Sequence, residues 1–413
     1  MLIKKLLVWL TMFLYAQISV GVEMQHRQFS VLETTRTETI NGQIDWPGGK
    51  LERWTGPVLV FISAGAPNDR NGWQLLARET IWADRSPLKE LSMALVTEGV
   101  AVVRFDNPGV RVPELKCRES IFKHGVTEEI VRRQCLDSRI LADFTVEKYQ
   151  RSIEAMLFYI EDVIPATHGK LVLFGFSEGL MHAASIAERR RIKLGGLVSI
   201  GSPAERFESL THWQTIGRML ELLPSFDANA DGVVSNDEVR KGYRKGKGNV
   251  MGLDGWLSPH GYWDRQNEGE FKLRLDQAYD AFRRDTDTGV GPGKLEWIRQ
   301  ANGVLVPNIN DALWNMHFYG QISPAEVMQE LRLPGLFLWG EGDSQISVPR
   351  QVALVHKAIK DGADIRYFRF PSRHHLLSKR KDMDWLETQF MPVIARTVLD
   401  FLNQASCPRP TTE

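Results

Sequence analysis

The chain has 413 residues and is 43% hydrophobic, so it can bury a large core, and its length suits a fold of roughly 250 to 300 residues plus an insertion. Its 51 basic and 51 acidic side chains cancel, which excludes a global field drawing it to nucleic acid or acidic membranes. The local basic clusters, Arg189-Arg190-Arg191 with Lys193, residues 240–247, and Lys379-Arg380-Lys381, carry no nucleic-acid motif and read as solvated faces.

The N-terminus reads Met1-Leu2-Ile3-Lys4-Lys5, followed by an uncharged stretch over 6–16 and by Ser19 and Gly21 at the minus three and minus one positions of a cleavage site. Residues 1–21 are expected to be a secretory signal, and the mature protein secreted or periplasmic. The apolar run is short for a membrane span and its downstream flank is polar, so no stable membrane insertion is expected once the signal is removed. Export changes how the cysteines read: Cys117 and Cys135 bracket a charge-rich segment that a disulfide would close. Cys407 lies in a polar tail at 406–413, and no cysteine has metal-site spacing.

After the signal, residues 29–44 alternate loosely and are rich in Thr and Val, which predicts an opening hairpin, with Pro47-Gly48-Gly49 as a turn. Residues 58–62 form a buried strand by their unbroken apolar content and lead into a loop of small residues over 63–72. Helices are expected over 73–77 and 88–98, then a second buried strand over 100–105 that Asp106-Asn107-Pro108-Gly109 ends. The stripe Ile153, Met156, Leu157, Ile160 and Val163 predicts a helix over 149–163, which delivers the chain to an apolar strand at 171–174. Another strand follows at 197–200. Strands alternating with helices predict an α/β protein with a mostly parallel sheet flanked by helices. Over 205–324 helical and loop text dominates, with Trp213, Trp256, Trp263, Trp297 and Trp314. The sheet pattern resumes at 335–339 and 365–370 and closes on a helix over 384–403. The expected organisation is a core split between 22–204 and 325–405, with a mainly helical cap inserted at 205–324 above the ligand-binding edge of the sheet.

Gly175-Phe176-Ser177-Glu178-Gly179 follows the strand at 171–174 and has the G-x-S-x-G spacing of a nucleophile elbow, in which small residues let the next helix approach and present the serine hydroxyl. A neutral hydroxyl needs a base and an orienting acid. His375 lies just after the strand at 365–370, with His374 beside it as the alternative base. Asp343 ends the strand at 335–339 in Gly340-Glu341-Gly342-Asp343; Glu341 falls nearer the strand body. The candidate set is therefore Ser177, Asp343 and His375.

These motifs, in this order and each at a strand end, resemble the α/β-hydrolase superfamily on both sides of the insertion, and the loop Ala64-Gly65-Ala66-Pro67-Asn68-Asp69-Arg70-Asn71-Gly72 resembles that of bacterial carboxylesterases. The resemblance implies an α/β-hydrolase fold and an oxyanion hole, with one donor the backbone amide of Glu178 and the other that of Gly65 or Ala66. The Glu178 side chain has a separate reading as a first-turn carboxylate at a helix N-terminus.

The insertion carries a second motif. Residues 227–238 place oxygen-bearing side chains Asp227, Asn229, Asp231, Ser235 and Glu238 at loop positions 1, 3, 5, 9 and 12, the Val233 carbonyl at 7 and Gly232 at 6, the spacing of an EF-hand calcium loop. A structural Ca2+ is expected, and none is needed for the chemistry. No second complete loop is visible: Asp285-Thr286-Asp287-Thr288-Gly289 begins like one but lacks its glutamate.

The leading expectation is an exported serine hydrolase that cleaves a small or short-chain ester through an acyl-enzyme. The alternatives are a serine peptidase acting on short peptides or aminoacyl substrates, and a non-catalytic binding protein on a hydrolase scaffold. Cap tryptophans either line the substrate pocket or form the core of the cap.

Overall fold

A computed structural model describes residues 24–33, 39–64, 68–72, 86–111, 115–125, 127–137, 140, 145–248, 251–287, 296–299, 305–308, 317–379 and 386–405. The expected signal, the helix at 73–77 and the tail at 406–413 lie outside the described residues.

The core is an eight-stranded sheet formed by β1 (Gln25–Leu32), β2 (Thr39–Trp46), β3 (Val58–Ile62), β4 (Ala101–Phe105), β5 (Leu171–Phe176), β6 (Leu194–Ile200), β7 (Gly335–Gly340) and β8 (Ile365–Phe370). Its spatial order is β1-β2-β4-β3-β5-β6-β7-β8. β2 runs antiparallel to both β1 and β4, and the remaining pairs are parallel. Every residue of β3, β4, β5 and β7 is buried, as expected of strands covered on both faces. Edge strand β8 is buried at its first residue and more open beyond it.

Helices cover both faces. On one, α2 (Val146–Val163) buries Tyr149, Ile153, Met156, Leu157 and Ile160, alongside Val348 and Val355 of α4 (Val348–Lys360). On the other, Leu88, Leu91 and Leu95 of α1 (Pro87–Thr97) pack with Ile394, Val398 and Phe401 of α5 (Met391–Ala405). Each such side chain contributes about 1.5–3 kcal/mol on full burial. The Oγ1 of Thr145 caps α2 by accepting from the Lys148 amide at 3.2 Å. Several boundaries differ from expectation, among them the start of β6, at Leu194 rather than 197, of α2, at Val146 rather than 149, and of α5, at Met391 rather than 384. Pro392, which lacks an N–H, fits only a first helical turn and so sets that start.

The chain order reverses at β3, which lies between β4 and β5, so a crevice opens beyond the C-terminal ends of β3 and β5. Ile62 and Phe176 end these strands there. Above it sits the insertion between β6 and β7, mainly helical: Phe207–His212 continues through a wide turn at Trp213–Gly217 into Arg218–Leu222, and Asn236–Arg244 and Glu268–Asp287 follow. It has its own core, in which Trp256 and Trp263 are almost fully buried against Phe226, Val239 and Phe271. Trp213 is also buried, so these three tryptophans serve packing; the side chains of Trp297 and Trp314 lie outside the described residues. Gln214 donates to the Gln345 carbonyl at 2.8 Å and Arg218 to that of Ser344 at 3.0 Å, which ties the insertion to the loop after β7.

Cys117 and Cys135 are joined in a disulfide, with their Cα atoms 5.0 Å apart.

Candidate active site

Ser177 is held at a positive φ of 53°, a backbone state that L residues rarely adopt. The surrounding glycines permit it: a Cβ at Gly175 would lie 2.3 Å from the Leu180 nitrogen, and one at Gly179 would lie 2.0 Å from the Ile62 carbonyl oxygen. The helix Gly179–Glu188, α3, thus presses against both its own strand and β3. The Ser177 amide donates to the Ile200 carbonyl at 2.9 Å, which pins the turn to β6.

The structure brings the three candidate residues together from three strand ends. His375 Nε2 lies 3.1 Å from Ser177 Oγ, and its Nδ1 lies 2.9 Å from Asp343 Oδ2. Asp343 Oδ1 accepts the backbone amides of Gln345 at 2.7 Å and Ile346 at 3.3 Å, so the carboxylate is aimed and cannot rotate freely. His375 is 6% exposed and the Asp343 side chain is 0% exposed, so water screens their pairing little. Gly201, at φ +63°, runs beneath the ring, where an added Cβ would come within 3.2 Å of His375 Cε1.

The two alternatives point elsewhere. His374 Nδ1 lies 2.8 Å from the Gly342 carbonyl oxygen, on the exposed side. Glu341 faces Arg369 at 3.9 Å on the surface. Glu178 is placed one residue earlier than expected, at the N-cap of α3 rather than in its first turn. Its Oε1 lies 3.0 Å from Nε2 of the buried His182, one turn along α3. Gly65 and Ala66 lie outside the described residues.

The remainder of that loop is clamped. Arg70 reaches Asp106 through its backbone amide at 2.8 Å and its Nε at 3.1 Å, and donates from Nη1 to the Gly42 carbonyl. Arg104, 1% exposed, pairs with Asp45 at 2.8 Å and donates to Asn71 Oδ1 at 2.6 Å. The Asn107 amide donates to the Asn68 carbonyl and its side chain to that of Ala64. These anchors escaped the sequence reading, although an Asn-Asp-Arg-Asn run between buried strands carries a visible signal: charges there need partners.

A cavity of about 570 Å3 opens over Ser177 and His375 beneath the insertion, walled by Phe207, Leu210, Met219 and Leu275 from above and Ile346 from the core. A smaller one, about 180 Å3, meets the same two residues from the side of Phe176, Leu376 and Leu386. Burial pushes the pKa of Arg218, in the wall of the larger cavity, below the usual guanidinium range.

In the loop at 227–238, the Gly232 amide donates to Asp227 Oδ2 at 2.9 Å, the Asp231 amide to Asn229 Oδ1 and the Val233 amide to Asp231 Oδ1. Glu238 Oε1 accepts from the Ala228 amide and Oε2 from that of Ser235, in a capping box at the start of Asn236–Arg244. Asp227 Oδ1 is buried without a hydrogen-bond partner. Among the described residues no three His, Cys, Asp or Glu side chains converge as a metal cluster. Three of the six expected ligands, Asn229, Ser235 and the Val233 carbonyl, are none of these side chains, and Glu238 is turned onto the helix.

A second loop faces this one. Val234 pairs antiparallel with Trp263 and Ser235 with Tyr262, and the Asn236 amide donates to the Gly261 carbonyl at 2.8 Å. Placing Trp263 opposite Val234 puts Gly261, at φ +87°, at the position Gly232 holds at φ +80°. Trp256, Ser258, His260 and Asn267 then stand where the first loop has Asp227, Asn229, Asp231 and Glu238. Sequence reading missed this partner because it kept the glycine and the strand contact while lacking acidic ligands.

No family model matches the chain, and no curated protein matches it. Among solved structures it is similar to Est1E from Butyrivibrio proteoclasticus, at 12% identity over 92% of this chain and 98% of that one, with a TM-score of 0.43. A carboxyl esterase from Bacillus coagulans is similar at 13% identity over 92% and 98%, with a TM-score of 0.46. A proline iminopeptidase from Mycobacterium smegmatis is similar at 14% identity over 92% and 100%, with a TM-score of 0.44. On the order and direction of its own eight strands, with the helical insertion between β6 and β7, the chain has the α/β-hydrolase fold.

Proposed function

We propose that this chain is a serine hydrolase of carboxylic esters. The observation that carries the reading is the hydrogen-bonded line from Ser177 Oγ through His375 to Asp343, at 3.1 Å and 2.9 Å, on a serine held at positive φ under a walled cavity. Ser177 Oγ attacks the ester carbonyl carbon while His375 Nε2 takes its proton, and Asp343 stabilises the imidazolium that forms. The tetrahedral oxyanion is received by the Glu178 amide and one from the loop at 65–66. The alcohol leaves with the proton from Nε2; water, deprotonated in turn by His375, then cleaves the acyl-serine and releases the acid.

Ser177→Ala is expected to lower hydrolysis of p-nitrophenyl butyrate about ten-thousand-fold with an unchanged circular dichroism spectrum. Retention of more than a tenth of the activity would remove Ser177 from the mechanism. Cleavage of aminoacyl amides in preference to esters in the same assays would move the reading to a peptidase.

Two further features belong to the proposal. Export to an oxidising compartment, guided by a signal at 1–21, agrees with the Cys117–Cys135 disulfide. The loop at 227–238 would hold Ca2+ as a structural clamp: its donors are all hard oxygens and Asp227 Oδ1 awaits a partner, while Glu238 would turn from its capping amides toward the ion. The ion would supply fixed charge that orders the loop and takes no part in the ester chemistry.

A further inference from the structure

The large cavity is lined about equally by polar and apolar surface, and a cation stands in its wall. Arg218 comes from the insertion, at the start of Arg218–Leu222, and lines the same cavity as Ser177 and His375. One of its nitrogens, Nη1, donates to the Ser344 carbonyl at 3.0 Å and approaches Gln345 Oε1 at 3.5 Å. Its Nε is buried with no hydrogen-bond partner, and among the described residues no carboxylate lies within ion-pair distance of it. The guanidinium carbon stands 6.0 Å from the centroid of the Trp213 ring, whose own indole N–H is bound to Glu221. Two arginines of the core that are largely shielded have acids: Arg104 has Asp45, and Arg70 has Asp106.

A guanidinium taken out of water without a counter-charge is costly, and its planar fork suits a carboxylate. Glu178, the cavity's one acidic side chain among the described residues, lies beside Ser177 and is engaged with His182 at 3.0 Å. A binding contact from cap to the loop after Asp343 explains Nη1 alone; it leaves the rest of the fork unused in a cavity wall.

We propose that Arg218 is a specificity-determining residue that receives a carboxylate carried by the substrate, so that the preferred esters are anionic, with the charge separated from the scissile carbonyl by an apolar spacer. The inference rests on the serine-hydrolase reading, and it names the substrate class for that site. The apolar walls take the spacer, and a cavity of about 570 Å3 accommodates a short dicarboxylic acyl chain or a carboxylate-bearing alcohol.

The test compares mono-p-nitrophenyl glutarate with its methyl ester, a neutral analogue of the same chain, and the butyryl ester of glycolate with that of methyl glycolate. Wild type is expected to favour at least one anionic ester over its neutral partner in kcat/KM by about tenfold or more. Arg218→Met should bring that ratio to about one or below, and Arg218→Lys should keep part of it. Because each ratio is taken on one protein, a partial loss of fold cancels. Ratios near one in wild type, or a proportional fall on both members of each pair in Arg218→Met, would overturn the proposal and leave Arg218 as a cap-to-loop tie. If no ester is cleaved at all, the hydrolase reading falls, and the binding arm decides on Arg218 separately: calorimetry should detect glutarate binding to Ser177→Ala and its loss in Ser177→Ala with Arg218→Met. Absence of glutarate binding to Ser177→Ala would equally overturn the carboxylate assignment.

Discussion

Ser177 shows how much structure one residue needs. Its positive φ is tolerated because Gly175 and Gly179 leave no Cβ in the way of α3 and β3, and because Ile200 accepts its amide. Its base arrives from beyond β8, 198 residues later in the chain, and its acid from the end of β7, 32 residues before that base. The residues that hold the neighbouring loop are as demanding. Asp106 is 4% exposed and Arg70 covers it with three separate donors, so removing the guanidinium strands a buried carboxylate. Arg70→Met is therefore expected to cost about 3–5 kcal/mol of stability. Urea denaturation at neutral pH checks this, and a loss below about 1 kcal/mol would show that water or a neighbour replaces the arginine.

At the scale of elements, the insertion leaves and rejoins the core at one ionic staple. Arg206, just before Phe207–His212, grips Glu326 through two hydrogen bonds of 2.8 and 3.0 Å. Glu326 also closes a capping box with Ser323 at the head of Pro324–Leu331. The Arg206 guanidinium pushes the Glu326 carboxyl down to about 2 from an ordinary 4.5. A depressed carboxylate adds stability above its unfolded pKa and loses it as pH falls through its folded one. The staple should thus hold from neutral pH to well below 4.5 and fail near 2. Both side chains are substantially exposed, so solvent screening limits the contribution to about 1 kcal/mol or less. Glu326→Gln keeps the cap and removes the charge: denaturation curves of the two proteins should differ at pH 7 and converge near pH 2. Equal stability at both pH values would mean that the ion pair adds nothing.

At the scale of the whole molecule, the insertion has a hydrophobic core of its own beside the two layers that sandwich the sheet. It meets the core at the loop after β7, through Gln214 and Arg218, so its order and that of the Asp343 loop are joined. If the loop at 227–238 holds calcium, the ion acts on this unit first. At a free concentration one hundred times its Kd, calcium would stabilise the protein by about 2.7 kcal/mol. Calorimetry with calcium and with a chelator should show a rise in the insertion's melting transition that Asp227→Ala abolishes; identical traces in both conditions would remove the clamp.

Much of this was legible in the chain. Unbroken apolar runs at 58–62 and 171–174 and the stripe along 149–163 could satisfy their burial in few ways, and so announced a covered parallel sheet. The elbow spacing, and an acid and a histidine after later strands, were local patterns of the same kind. Where polar groups had to choose partners, sequence was silent. Which of His374 and His375 turns inward, how Arg70 spans from its loop to Asp106, and that the 256–267 loop faces 227–238 all depend on residues distant in sequence meeting in space. Arg218 is the clearest instance: its sequence neighbours read as an ordinary helix, and only the closing of the insertion over Ser177 shielded its Nε while leaving it, among the described residues, no acid within ion-pair distance. Periodicity and spacing are properties of a segment, so the sequence alone determined the layers and the reactive turn; pairing and desolvation are properties of the packed whole, so only the tertiary structure decided what each charge faces.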